Sequence, residues 1–175
     1  METPIYIVDI FSDIVKAVDS ALYSTIGRHI FYQYGSSLQI LDQLVQLNGG
    51  TTSKTQRFPL IALFQPFDEA MGGNGYYTKL TIPKLVIAAL TKPEISVPKR
   101  YSETFKPLLY PIYYELLNQI TLNGYFVMND AGMIPHSKKD NPGSPPAKGM
   151  ASGEFVDSID LFNITLTLNA QINCK

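Results

Sequence analysis

The sequence predicts an α+β fold: a mixed or antiparallel sheet covered by an N-terminal helix and a proline-kinked central helix. Three patterns carry this expectation. Val8, Phe11, Val15, Val18 and Leu22 recur at helical steps, with Ile14 and Ala21 widening the stripe. Phe105, Leu109, Ile112, Leu116 and Ile120 form a second helical stripe, broadened by Leu108 and Leu117. In "DLFNITLTLNAQIN", residues 160–173, apolar and polar side chains alternate strictly, which is the period of a strand with one buried face. A length of 175 residues suits one domain spanning 1–175 with a substantial core.

The first helix is expected over residues 7–24, with Asp9, Asp13, Lys16 and Asp19 facing water and Gly27 ending it. "RHIFYQY", 28–34, reads as a short aromatic strand broken by Gly35. Ser36 or Ser37 can cap a second helix with Leu38, Leu41, Leu44 and Val45 inside, and "NGG" at 48–50 stops it. "RFPLIALF", 57–64, is a strand in which Pro59, lacking a donor, belongs at the start or on an edge. "QPFDEAMGGNGYY" reads as a turn-rich link. Its glycines lack the Gly-Lys-Ser/Thr ending of a phosphate loop and the GxGxxG spacing. Residues 77–91 form a long strand with Leu80 and Ile82 on one face; beyond Pro83 both faces are apolar, so a bulge or an edge is expected there.

"KPEISVPKR" reads as a loop or arm, after which Ser102 can cap the central helix. Pro107 and Pro111 place the continuous helix from about 107, with a bend near 111. "GYFVMN", 124–129, is a strand. Residues 130–154, rich in Pro, Gly and Ser, read as one extended loop, longer than compact domains usually hold. Contact of that loop with another subunit, plain mobility, or phosphate contact through His136, Lys138 and Lys139 all fit its composition.

Charged residues are only 17% and the net charge is -1, so no basic excess points to sequence-specific nucleic-acid binding, and self-repulsion is weak. Eleven tyrosines against no tryptophan fit half-buried positions, either in the core or at interfaces. Tyr110, Tyr113 and Tyr114 outnumber what one buried helix face needs, so they are candidates for a partner as well as for the core border. "METPIYIVDIF" lacks a leader's charged start and cleavage motif, and no apolar run approaches 18 residues. The acceptor pattern "NIT", 163–165, falls inside a strand.

Reactive groups are scarce. His29 sits in an aromatic strand. His136, with Asp130 or Asp140, lacks metal-site spacing. Cys174 has no partner cysteine, and Asp157 and Asp160 read as turn or cap residues. No catalytic, metal or cofactor residues are expected, and the chain is not expected to be an enzyme.

The order of elements resembles a known group. The N-terminal helix, "HIFYQYGSSLQI", "RFPLIALF", the 77–91 strand, "RYSETFKPLLYPIYYELL" and the closing strand are similar in arrangement to small neck and tail-terminator proteins of tailed bacteriophages, of the kind infecting Bacteroidetes. The resemblance implies a cofactor-free virion protein, assembled in the host cytoplasm. It implies a ring, hexameric or dodecameric, that ends the tail tube or joins head to tail around passing double-stranded DNA. Its partners would be further copies of itself and neighbouring tail-tube, neck or portal proteins, with no membrane. Mapped onto this chain, 77–91 and 160–173 become ring-forming strands. Tyr77, Lys79, Thr81 and Pro83 are interface candidates on the first, and Asn163, Thr165, Thr167 and Asn169 on the second. The loop with His136, Lys138 and Lys139 would reach an adjoining ring. An early helix at 36–48 and the long loop depart from the simplest pattern and leave open which ring this is. Another virion structural role, such as a baseplate or capsid accessory protein, or a small soluble protein-binding domain, are the alternatives.

Overall fold

The computed structural model describes residues 6–40, 57–72, 77–92, 94–128, 132–144 and 155–169. The chain is α+β, with a mixed six-stranded sheet. Helix α1 (Ile7–Ile26) buries Phe11, Ile14, Val15 and Val18 of the predicted stripe together with Ile10, while Val8 and Leu22 are half-buried and Ala21, expected to widen the stripe, is exposed. Gly27 closes it at φ 70, a left-handed conformation that costs glycine little, and donates its N–H to Tyr23 O at 2.8 Å.

Strand β1 (Phe31–Gly35) follows. Asp19 anchors its start, accepting from Ile30 N at 2.8 Å and contacting His29 Nδ1 at 2.9 Å. The helical turn at 37–40 is capped reciprocally, Gln39 N donating to Ser36 Oγ and Ser36 N to Gln39 Oε1. Leu38, expected inside, is 73% exposed and Ile40 is buried in its place. Leu41, Leu44 and Val45 lie outside the described residues.

Strand β2 (Leu60–Phe64) pairs parallel with β1 and antiparallel with β4 (Tyr77–Thr91). Pro59 precedes the ladder, where no donor is required, and its carbonyl accepts from Phe31 N. The expected turn-rich link contains a strand, β3 (Asp68–Met71), antiparallel to the first half of β4. Strand β6 (Phe155–Asn169) lies on the other side of β4, and β5 (Ser137–Ser144) beyond it. The order is β1-β2-β4-β6-β5, with β3 sharing the β2 side of β4.

Strand β5 corrects the reading of 130–154 as one loop. Its polar composition hid it. It pairs antiparallel with β6 from Ser137 to Asn141, then shifts register before Ser144, across Pro142 and Gly143. A bulge in an edge strand is where proline does least harm. In turn, "GYFVMN" makes only an isolated bridge, Phe126 to Leu168, with Val127 N donating to Thr167 O.

The two long strands change phase together. Leu80 and Ile82 face the main core, as do Leu85, Ile87 and Ala89 beyond Pro83. On β6, Leu166 and Ile164 are followed by Leu161 and Ile159. Ile82 pairs with Ile164 and Lys84 with Phe162, and the intervening Pro83 and Asn163 are absent from the ladder. Asn163 takes φ 53. The register survives while side chains swap faces, so Phe162, expected on the core face, leaves it. β3 and β2 also part here, pairing through Thr81 and from Lys84 onward. A residue without an N–H therefore sits where no neighbouring ladder asks for one.

Both α1 and the central helix pack on the core face. On the opposite face Ile40, Phe58, Leu60, Ala62 and Ala88 form a smaller cluster behind the second half of β4. The central helix begins earlier than expected, as α2 (Val97–Arg100) after Ser96, so "KPEISVPKR" is partly helical and Ser102 caps nothing; its hydroxyl donates to Lys99 O. A π-helical stretch, Tyr101–Leu109, leads into α3 (Tyr110–Leu122). Pro107 lies inside the wide turns and Pro111 in the first turn of α3, where its missing donor matters least. All five stripe residues are buried at 2% exposure or less.

Candidate functional site

Three polar groupings stand out, and two candidate sets from the sequence meet in the first. Helix α3 turns Tyr110 and Tyr113 toward β5. The Tyr110 hydroxyl donates to Asp140 Oδ2 at 2.7 Å. Lys138 Nζ donates to Asp140 Oδ1 at 2.9 Å and lies 4.8 Å from the Tyr110 ring centroid and 5.5 Å from that of Tyr113. His136 Nδ1 is 2.7 Å from Ile134 O, which can only accept, so Nδ1 carries a proton. In the neutral ring Nε2 then accepts from the Tyr113 hydroxyl at 2.9 Å. Both nitrogens are thus engaged. Among the described residues no group of three or more His, Cys, Asp or Glu could hold a metal. Burial and the Asp140 bond raise the Tyr110 phenol to about 12; burial raises Tyr113, against the opposing pull of Lys138. Tyr114 points to solvent, 67% exposed.

The second grouping escaped sequence reasoning. Arg100 is 3% exposed and Asp157 fully buried. Arg100 Nη1 meets Asp157 Oδ1 at 3.1 Å and Thr91 Oγ1 at 2.8 Å, while Nε donates to Ile95 O at 2.7 Å. Gly143 N donates to the same Asp157 oxygen at 2.8 Å. The pair joins α2, the end of β4, β5 and β6. Asp157 is a strand residue at the centre of a lock, and the turn or cap role expected for it is corrected. Asp160, also in β6, accepts from Ser158 Oγ at 2.8 Å and from Lys84 Nζ at 3.2 Å, with that ammonium between the Phe64 and Phe162 rings. Serine, aspartate and lysine here form a closed patch, with both carboxylate oxygens taken.

The third is the back of the first half of the β4–β6 ladder. Lys79 pairs with Thr167 and Thr81 with Thr165, and Pro83 stands beside Asn163. Tyr77 and Asn169 are backbone partners at the end of the ladder. The row is polar, with Lys79 and Asn163 exposed and the threonines half-buried. At the front of the same half an open groove of about 330 Å³ is lined by Tyr34, Phe67, Glu69 and Leu80 among others. His29 stacks on Tyr23 at the surface, and Cys174 and Asp130 lie outside the described residues.

The polar groups described therefore hold elements to one another, and the sheet ends in exposed borders. No helix among the described residues is long and apolar enough to cross a membrane. No protein-family model matches the chain, and no curated protein matches it.

Proposed function

We propose that the chain is a structural subunit of an oligomeric ring in a tailed-phage virion, ending the tail tube or joining head to tail around the DNA channel. One observation carries this reading. The sheet is open: β1 and β3 on one border and β5 on the other each have a single strand neighbour. An open sheet with exposed borders can be continued by further copies of itself. The largely uncharged back of the β4–β6 ladder and the net charge of -1 are compatible with close packing of like subunits beside DNA. The order of helices and strands that resembles the neck and tail-terminator group adds to this.

The test is the mass and shape of the purified protein by light scattering and negative-stain imaging. Closed rings with a central hole are expected. A monodisperse monomer across the accessible concentration range refutes the reading. Localisation in virions away from the neck and tail end would move the chain to the baseplate or capsid accessory class.

A further inference from the structure

The ring reading leaves open which surfaces meet, and the free backbone groups of the two outermost strands narrow the choice. In β1, Phe31 N donates to Pro59 O and Gly35 O accepts from Gln65 N, so Phe31, Gln33 and Gly35 turn their backbone groups toward β2. Tyr32 and Tyr34 turn theirs outward. The same phase carries through the registers of the whole sheet. Leu60, Ala62 and Phe64 of β2 bond to Ala88, Val86 and Lys84 of β4, and Leu85, Ile87 and Ala89 of β4 bond to Leu161, Ile159 and Asp157 of β6. Ser158, Asp160 and Phe162 then bond to Asn141, Lys139 and Ser137 of β5. Lys138 and Asp140 therefore point their backbone N–H and C=O away from the sheet. Among the described residues, nothing pairs with these outward groups on either strand.

Directions and faces agree. β1 is parallel to β2 and so antiparallel to β4, whereas β5 runs with β4. A neighbouring copy placed beside the first in the same sheet orientation therefore brings its β5 antiparallel against β1. Tyr32 stands on the helix side, its hydroxyl donating to Val8 O of α1 at 3.2 Å, and Tyr34, two residues on, shares that side. Lys138 and Asp140 stand on the helix side as well, against Tyr110 and Tyr113. One register, Tyr32 opposite Asp140 and Tyr34 opposite Lys138, satisfies the outward groups of both strands and keeps every side chain on its own face. A slip of two residues one way sets Tyr32 against Pro142, which has no N–H. A slip the other way sets Asp140 against Ile30, whose N–H is already given to Asp19. Ser36 N is likewise held by Gln39, so β1 offers no donor beyond Tyr32 and Tyr34.

The strand order leaves room. β1 is the outermost strand of its border, and β3 lies further in, beside β4. In this register Pro142 of the neighbour comes level with Ile30, at the end of β1 away from β3. The neighbour's residues before Ser137 pass two strand spacings, about 10 Å, outside β3.

We infer that Ser137–Asn141 of one copy pairs antiparallel with Phe31–Gly35 of the next, with Lys139 against Gln33 on the back of the sheet, in a head-to-tail contact. This rests on the ring reading and names its interface. Head-to-tail contacts close into rings when the rotation permits. Strand β1 carries no charge, so the two lysines of β5 meet no like charge on it. Lys138 comes beside the Tyr34 ring, and Lys139, without an ion-pair partner among the described residues, comes within reach of the Gln33 amide oxygen.

The experiment uses the full chain with Cys174→Ser and the pair Gln33→Cys and Lys139→Cys. Within one copy these positions are level, through Ala62, Val86 and Asp160, but four strand spacings apart, about 19 Å, so a disulfide can join only different copies. Under mild oxidation the pair is expected to give a ladder of covalent oligomers, and either cysteine alone none. Gln33→Cys with Asp140→Cys, one residue away and on the other face, should cross-link at least tenfold less; an equal yield overturns the register. The amides of Tyr32, Tyr34, Lys138 and Asp140 should exchange at least tenfold more slowly in the assembled natural chain than in monomer obtained by dilution. Rings that form without the cross-link, or with those amides unprotected, overturn the border pairing and leave the ring reading standing. Covalent dimers from either single cysteine variant mean a two-fold contact between like borders and also overturn it. A natural chain that stays monomeric removes both.

Discussion

At the scale of single residues, the most consequential contact is Arg100 with Asp157, 57 positions apart in sequence. Nothing local marks either partner. Arg100 ends a stretch that reads as an arm, and Asp157 sits before the alternating run, so the pair becomes visible only once β6 begins at Phe155. Removing one partner strands a buried charge. Asp157→Ala should therefore cost about 3–5 kcal/mol in urea unfolding, far more than the same change at exposed Asp13. A loss under about 1 kcal/mol would refute the lock. Gly143 is tied to the same contact: at φ 63 an added Cβ would lie 2.9 Å from Arg100 Cζ, so Gly143→Ala should also destabilise. The tyrosines give a pH dependence. Tyr110 is raised from 10.0 to about 12, mainly by burial and then by its Asp140 bond. The folded chain holds this proton more tightly than the unfolded chain does. Its contribution is therefore complete below about pH 10 and lost progressively up to about pH 12. Tyr110→Phe should flatten part of that decline in denaturation curves taken across this range. Tyr32 is raised further still, by burial and by nearby Tyr34 and Asp9. It should be among the last phenols to ionise in an absorbance titration.

At the scale of elements, periodicity was legible wherever an apolar stripe outweighed local exceptions. The stripe from Phe105 to Ile120 is buried throughout, despite two prolines, because the wider π turns carry Pro107 while the apolar side chains still reach the sheet. Leu116→Ala should cost about 2–5 kcal/mol, as a fully buried leucine does, whereas Leu122→Ala, at the exposed end of α3, should be near neutral. Two strands were not legible. β5, "SKKDNPGS", has a loop's composition and is held as a strand by pairing with β6 and by the Asp157–Gly143 bond. β3 sits in a glycine-rich link and is too short to show a period. The candidate site was legible in halves: the tyrosines of α3 and the basic residues near 136–139 each stand out in the sequence, but their meeting depends on the third dimension. The phase change at Pro83 and Asn163 gives a sharper test. β-propensity alone favours valine at 163, yet a left-handed φ of 53 penalises a β-branched side chain. Asn163→Val should lose roughly 1–2 kcal/mol, and Asn163→Gly should be neutral or slightly stabilising. The reverse order would refute the strain.

At the scale of the whole molecule, a sheet with helices on one face and only a small cluster on the other leaves its borders and part of its back to solvent or to neighbours. The face swap at Pro83 and Asn163 has one more consequence. A polar residue scanned along β4 should be damaging at Leu80 and Ile82 and tolerated at Lys79 and Thr81; beyond the swap it should be damaging at Leu85, Ile87 and Ala89, and also at Ala88, which the small cluster buries from behind. The positions that the main core polices would thus shift by one residue midway along one continuous strand, a signature that an uninterrupted ribbon cannot produce.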